Sequence, residues 1–425
     1  MNRLLSAVVC VLLLMVSLAG AKDAGDQVLV RWPSWRGPQT MGSAAVGKYP
    51  SKWSAQENVL WKVELPGKGC STPAVWDNQI FITAPVDEKD AVIAFDHKGA
   101  QKWSTVIAPG KGGKHRNGSS SNPSPVTDGK HIFAYFKSGN LAGLDVSGKL
   151  LWSTNLQERF GKDTLYWDIG TSPVLTHKHV VMAVMHQGES YLAAFDQVTG
   201  ELAWKVSRNF ECPVEGDHAY TTPIVVKQGD SEQIIVWGAE HVTAHDATDG
   251  KVIWTCGGFN PQKKRNWVAV ASHVIVDDLV VVPYGRGSHM AAVKMGGTGD
   301  VTETHRAWTR SDTGAFVPTP AAKDGKVYIV TDRGHVVCLD AKTGNTLWEG
   351  DLPRGAASYY ASPLVADGKL YATREDGMIF VASITDGLKL ISENDMQERV
   401  IASPVPVMNR LLIRGEKHLF CIQEK

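Results

Sequence analysis

The sequence predicts an all-β chain, an eight-bladed β-propeller of four-stranded blades. Three observations predict it. First, an Asp–Gly–Trp spacing recurs: Asp196…Gly200…Trp204, Asp246…Gly250…Trp254 and Asp340…Gly344…Trp348, with shorter turns in Asp96…Gly99…Trp103 and Asp145…Gly148…Trp152. Second, a Ser or Thr followed by Pro opens each unit, at Thr72, Ser124, Ser172, Thr222, Thr319, Ser362 and Ser403. Third, short apolar, β-branched runs alternate with Asp-Gly and Thr-Gly hairpin signals. A repeat of about 40–50 residues reads as a radial or stacked array, because one such sheet cannot bury both faces alone.

The elements follow in order. In the unit opened by Thr319-Pro320, Ala321–Asp324 is the innermost strand, and Lys326–Thr331 and His335–Asp340 follow. Asn345–Trp348 is the outermost strand, where a large ring can bridge to the next blade. Pro suits the first residue of a strand, where no ladder bond is lost. Ser272-His273 reads as a degenerate opening with His for Pro, which makes eight. The seventh unit carries Ile391 at the Trp position, and the last unit ends before any outer strand. Asn58–Leu65, with Trp61, precedes any inner strand, so it is expected to complete the eighth blade and leave no free edge in the ring.

Three segments are expected: a signal peptide at 1–21, an N-terminal extension at 22–57 and the propeller at 58–425. Arg3, the apolar run Leu4–Leu18 and Ala19-Gly20-Ala21 form the leader, with cleavage before Lys22 and export to the periplasm or beyond. No later stretch is apolar enough to span a bilayer. Lys and Arg (44) balance Asp and Glu (44), which gives no electrostatic case for a nucleic-acid partner. Cys70, Cys212, Cys256, Cys338 and Cys421 are odd in number and irregularly spaced, so they are no disulfide framework; pairing of Cys212 with Cys256 stays open. Cys338 and Cys421 occupy equivalent third-strand positions and read as small buried hydrophobes.

The run Ala194-Phe-Asp196 to Trp204, with the preceding Ser-Pro-Val strand, resembles the pyrroloquinoline-quinone-like repeat over residues 58–425. The resemblance implies one of two kinds of protein. One is the quinoprotein alcohol and sugar dehydrogenases, with quinone on the axis and calcium beside it. The other is the non-enzymatic propeller of the outer-membrane barrel assembly machinery. The lead-in Trp32–Gln39 is similar to that of secreted repeat proteins of planctomycete-type bacteria. The chain has no adjacent cysteine pair, no Cys-x-x-Cys-His haem signature and only modest insertions, near 105–122 and 205–220.

Loops entering the innermost strands gather at one mouth of the axial channel. From them Asn122, Trp167, Asp168, His218, Tyr220, Trp267, Tyr360 and Arg399 are the candidate ligand-binding set: aromatic walls with a few polar groups, suited to a carbohydrate or a quinone-like acid. No metal set is expected; His241 and His245 lie four apart on a strand and read as packing or solvent-facing residues. Lys111–Gly118 lacks phosphate-loop spacing and reads as a mobile solvated loop. Trp32–Gln39 is expected to lie against the propeller as an extended cap, with Arg36 anchoring it by an ion pair. The function expected is an exported, non-catalytic scaffold that binds a protein, peptide or glycan and needs no cofactor. The alternative is a quinone-dependent oxidoreductase acting on an alcohol or sugar, which would take the quinone with calcium.

Overall fold

The computed structural model describes residues 28–424; the leader expected at 1–21 lies outside the described residues. The chain is an eight-bladed propeller. Blades one to seven span 74–109, 126–155, 174–207, 224–256, 274–310, 321–351 and 364–395. Blade eight takes three strands from 405–422, and its outermost strand is Val59–Glu64, antiparallel to His418–Ile422.

A ring of hydrogen bonds surrounds the axis. The backbone N–H of Thr72 donates to Ser124 Oγ at 2.9 Å, Ser124 to Ser172 Oγ at 2.9 Å, and Ser172 to Thr222 Oγ1 at 3.0 Å. Thr222 donates to Ser272 Oγ, Ser272 to Thr319 Oγ1, and Thr319 to Ser362 Oγ, at 2.8–2.9 Å. Ser403 donates to Thr72 Oγ1 at 3.3 Å and joins the last blade to the first. These are the opening residues read from the sequence, and Ser272 takes its place although His273 replaces the Pro. Each Pro, like His273, stands immediately before its innermost strand rather than inside it.

The outer tryptophans tie neighbouring blades together. Trp61, Trp103, Trp152, Trp204 and Trp308 donate their indole N–H to the carbonyls of His97, Val146, Gln197, Ala247 and Ala341 in the following blade. Their rings lie on Gly99, Gly148, Gly200, Gly250 and Gly344, where an added Cβ would strike the indole. Within each blade the residue across from the Trp is small: Ala94, Gly143, Ala194, Ala292, and Cys338 and Cys421 opposite Trp348 and Trp61. That position accounts for both cysteines. The Asp of the motif closes the turn. Asp196 Oδ1 accepts from the N–H of Val198 and Thr199, and these bonds, Thr199 first, hold its carboxyl below the ordinary range. Trp254 departs from the pattern. Blade five has a long third-to-fourth connection, and its Gly299–Asp300 adds a parallel strand beside Trp254-Thr255.

The N-terminal extension is not an external cap. It enters the axial channel from the end opposite the mouth. Arg31–Trp32 pairs with the innermost strand of blade one, Pro33 accepts from Thr127 of blade two, and the chain turns over 34–42. It returns along blades six and seven, where Met41 accepts from Ala322 and Ala44 donates to Val365. Trp32 is 2% exposed. The expected ion pair of Arg36 is absent among the described residues: its guanidinium donates to the Pro320 carbonyl at 3.0 Å. Burial brings its pKa down to about 9. A carbonyl serves because the channel wall here is strand backbone. The five described cysteines, including Cys212 and Cys256, are all unpaired.

Ser172→Ala removes the acceptor of the Ser124 N–H inside the ring. A buried donor left without a partner costs about 1–3 kcal/mol. The urea midpoint is expected to fall accordingly. Gly200→Ala, which forces Trp152 off its seat at a positive φ of 71°, is expected to destabilise by more than about 1 kcal/mol.

Candidate functional site

The mouth of the channel opens into a cavity of ≈ 570 Å³. Trp35, at the tip of the N-terminal hairpin, forms part of its lining from below. Asn122, Trp167, Asp168, His218, Tyr220 and Tyr360 line it, as do Tyr166, Phe316 and Arg286. Six of the eight residues chosen from the sequence therefore share one cavity. Trp267 does not. Along its segment Val268 and Val270 take the wall, and Trp267 packs against His289 and Tyr284 at centroid distances of 4.9 and 6.1 Å. Arg399 also leaves the wall, because it is drawn into an ion cluster.

The polar groups at the mouth are mostly committed. Asp168 accepts from the N–H of Lys114 (2.8 Å) and His115 (3.1 Å) and pairs with the buried Lys137 ammonium. Glu375, 3% exposed, accepts from Asn117 (2.7 Å), the Ser358 N–H (3.2 Å), Arg116 (3.0 Å) and Arg399 (2.8 Å). Burial acts to raise the Glu375 carboxyl, but these donors together outweigh it and hold the pKa below the ordinary value. Lys68 adds a bond to the Arg116 carbonyl, and the Cys70 thiol meets the Asn117 carbonyl.

The segment 111–118 is therefore a tethered roof over part of the mouth and not the mobile loop its composition suggests. It is fixed to Asp168 on one side and to Glu375 on the other. Neither carboxylate is near it in sequence, so no local signal could have found the tether.

His218 is 1% exposed, and its Nε2 has no hydrogen-bond partner among the described residues, the Asp217 carboxylate standing 3.9 Å away. Burial lowers its pKa, which keeps the ring neutral at pH 7. Its edge meets the Tyr166 ring at 4.6 Å. Tyr220 Oη accepts the Trp167 N–H at 3.1 Å and fixes the rim. On that rim Tyr166 and Trp167 are 46% and 55% exposed. His245, by contrast, is consumed inside blade four by the Gly250 carbonyl and Thr243, and His241 stacks on Phe210.

Asp168→Ala leaves the buried Lys137 charge uncompensated. Removing one partner of a buried pair costs about 3–5 kcal/mol, and thermal unfolding should register that loss before any ligand is added. The Glu375 carboxyl has a folded pKa below its unfolded one. Its contribution is complete above the unfolded value and disappears as pH falls through the lower folded value. Protection of 111–118 against hydrogen exchange, taken relative to the intrinsic rate at each pH, is expected to fall in that acidic window, and Glu375→Gln should show the same loss of protection already at pH 7.

The profile described as outer membrane protein assembly factor BamB matches residues 51–256 and 238–417. The outer membrane protein assembly factor BamB of Yersinia pestis is 23% identical over 329 residues, covering 74% of this chain and 75% of the relative. The crystal structure of BamB from Moraxella catarrhalis superposes with a TM-score of 0.61 at 14% identity, covering 86% of this chain and 97% of that one. A europium-containing methanol dehydrogenase reaches a TM-score of 0.67 at 12% identity, covering 92% and 89%. The two solved structures share the fold. Because the profile runs through nearly every blade, the chain belongs to the outer membrane protein assembly factor BamB family of pyrroloquinoline-quinone-like repeat propellers.

Proposed function

We propose that this chain is an exported, non-catalytic propeller of the cell envelope that binds a protein partner through its mouth. The carrying observation is the pair Tyr166 and Trp167. Two large aromatic side chains stand half exposed, side by side, on the rim of a concave cavity. Exposed aromatics of this kind are typical anchors of protein contacts. The Yersinia pestis relative is an outer membrane protein assembly factor, which supports an envelope location and a protein partner. The leader read at 1–21 supports export. Among the described residues no helix is long and apolar enough to cross a membrane.

The methanol dehydrogenase neighbour motivates the alternative, a quinone-dependent oxidoreductase. The residues at the mouth do not fit that chemistry. Calcium takes six to eight oxygen ligands. Here the carboxylates of Asp168 and Glu375 are occupied by protein N–H groups and cations. No group of three metal-ligating side chains occurs among the described residues. Of the cations at the mouth, Lys137 and Arg399 are paired with those same acids, and Arg286 lies over the Phe316 ring.

A photo-reactive side chain at position 167, compared with one at Lys102 on the outer strand of blade one, tests the reading in intact cells. An adduct with an envelope protein is expected from 167 alone. Equal yields at both positions, or none, would discard the mouth as the binding face. Replacing Tyr166 and Trp167 together by Ala should weaken partner binding by about 2 kcal/mol or more without moving the melting temperature. Dye reduction by the protein supplied with quinone, calcium and a primary alcohol would instead establish the oxidoreductase.

A further inference from the structure

The opening residues of the blades do more than join them. Thr72, Ser124, Ser172, Thr319, Ser362 and Ser403 all line the mouth cavity, and each is at most 5% exposed. The first five hydroxyl oxygens are acceptors of a neighbour's N–H. A hydroxyl also carries one donor. Among the described residues none of the six donates its proton to a protein acceptor. The cavity is thus encircled at its base by hydroxyl donors that have no acceptor of their own. His218 adds a buried ring nitrogen without a hydrogen bond on the wall.

Above and below this ring the surfaces are aromatic. Trp35 comes from the N-terminal hairpin, and Phe316 and Tyr360 come from the blade loops. A ligand that satisfies both features has apolar faces to lay on rings and many oxygen acceptors around its edge. A purely apolar side chain would leave the hydroxyl donors and His218 unsatisfied. An anion would meet Glu215, a lining carboxylate with no cationic partner among the described residues, while Arg286 is held over the Phe316 ring at 4.3 Å.

We propose that this cavity binds the terminal residue of a neutral saccharide. The sugar is bound and not transformed, its face against Trp35 or Tyr360 and its oxygens accepting from the hydroxyl ring. The volume of ≈ 570 Å³ lies within the range of small-molecule sites. Trp35 lies outside the residues the family profile matches, so this part of the site belongs to this chain's own N-terminal hairpin. The inference rests on the mouth being the binding face, but it concerns a different occupant from the protein docked on the rim.

Saturation-transfer NMR on the leader-free chain tests it, with N-acetylglucosamine, methyl β-glucoside and glucuronate as probes. Saturable transfer to at least one neutral sugar is expected, with glucuronate at least tenfold weaker. Tyr360→Ala and Trp35→Ala should each weaken that binding tenfold or more, and Lys102→Ala should not. Melting curves report whether each variant is folded; if Trp35→Ala is not, Tyr360→Ala decides. No transfer to either neutral sugar, stronger transfer to glucuronate, or binding unchanged in Tyr360→Ala would overturn the saccharide site. The position-167 adduct, measured with and without saturating sugar, keeps the two readings apart: an adduct without sugar binding leaves the rim as a protein site and removes only this inference.

Discussion

Closing eight sheets around one axis requires eight innermost strands to begin at the same height. The Ser/Thr ring imposes that condition. Each opening residue donates its backbone N–H to the hydroxyl of the next, at seven of the eight junctions among the described residues. The Pro that follows restricts the preceding residue to extended conformations, so the hydroxyl is held facing its neighbour. Ser272 makes both of its ring bonds with His273 behind it. The hydroxyl is therefore the indispensable part, and the Pro is its support. The outer Trp–Gly contacts do the same work at the rim of five junctions, so those neighbouring blades are fixed to each other at both radii.

What was legible in the sequence is what is local. The Asp turn, the Gly beneath the indole and the small residue across from it all lie within one or two units, so spacing alone reveals them. The blade count and strand order follow. The exceptions follow too: Trp254 loses its Gly seat where blade five carries a long connection in place of a Thr-Gly turn. The candidate site was legible only in part. Alternation along 267–270 could have turned Trp267 off the wall, because Val268 and Val270 take the inward positions. Arg399, the tether of 111–118 and the path of 29–44 could not be read. Their partners lie far off in the chain, as Glu375 lies 258 residues from Asn117. A stretch rich in Gly and Lys looks solvated until the carboxylates that hold it are known.

The mouth separates its charges from its aromatics. Asp168 with Lys137, and Glu375 with Arg116 and Arg399, spend their charge on holding a roof in place. The surfaces left to a ligand are the rings of Tyr166, Trp167, Tyr360 and Phe316 and a circle of hydroxyls. Overall neutrality of the chain is matched at the site by local neutralisation. The binding proposed there would depend on shape and hydrogen-bond donors more than on long-range attraction, and so little on salt.

The hairpin in the channel also sets an order of events for the newborn chain. Residues 29–64 are made before the blades, yet their partners include Ala322, Val365, Asn394 and the last strands at 405–422. Contacts so distant in sequence form late, because the loop they close must be ordered first. Arg31–Pro33 have their partners in blades one and two, but the strand Val59–Glu64 waits unpaired until the final blade exists. During that interval the chain presents the strand edge of Val59–Glu64 to its surroundings.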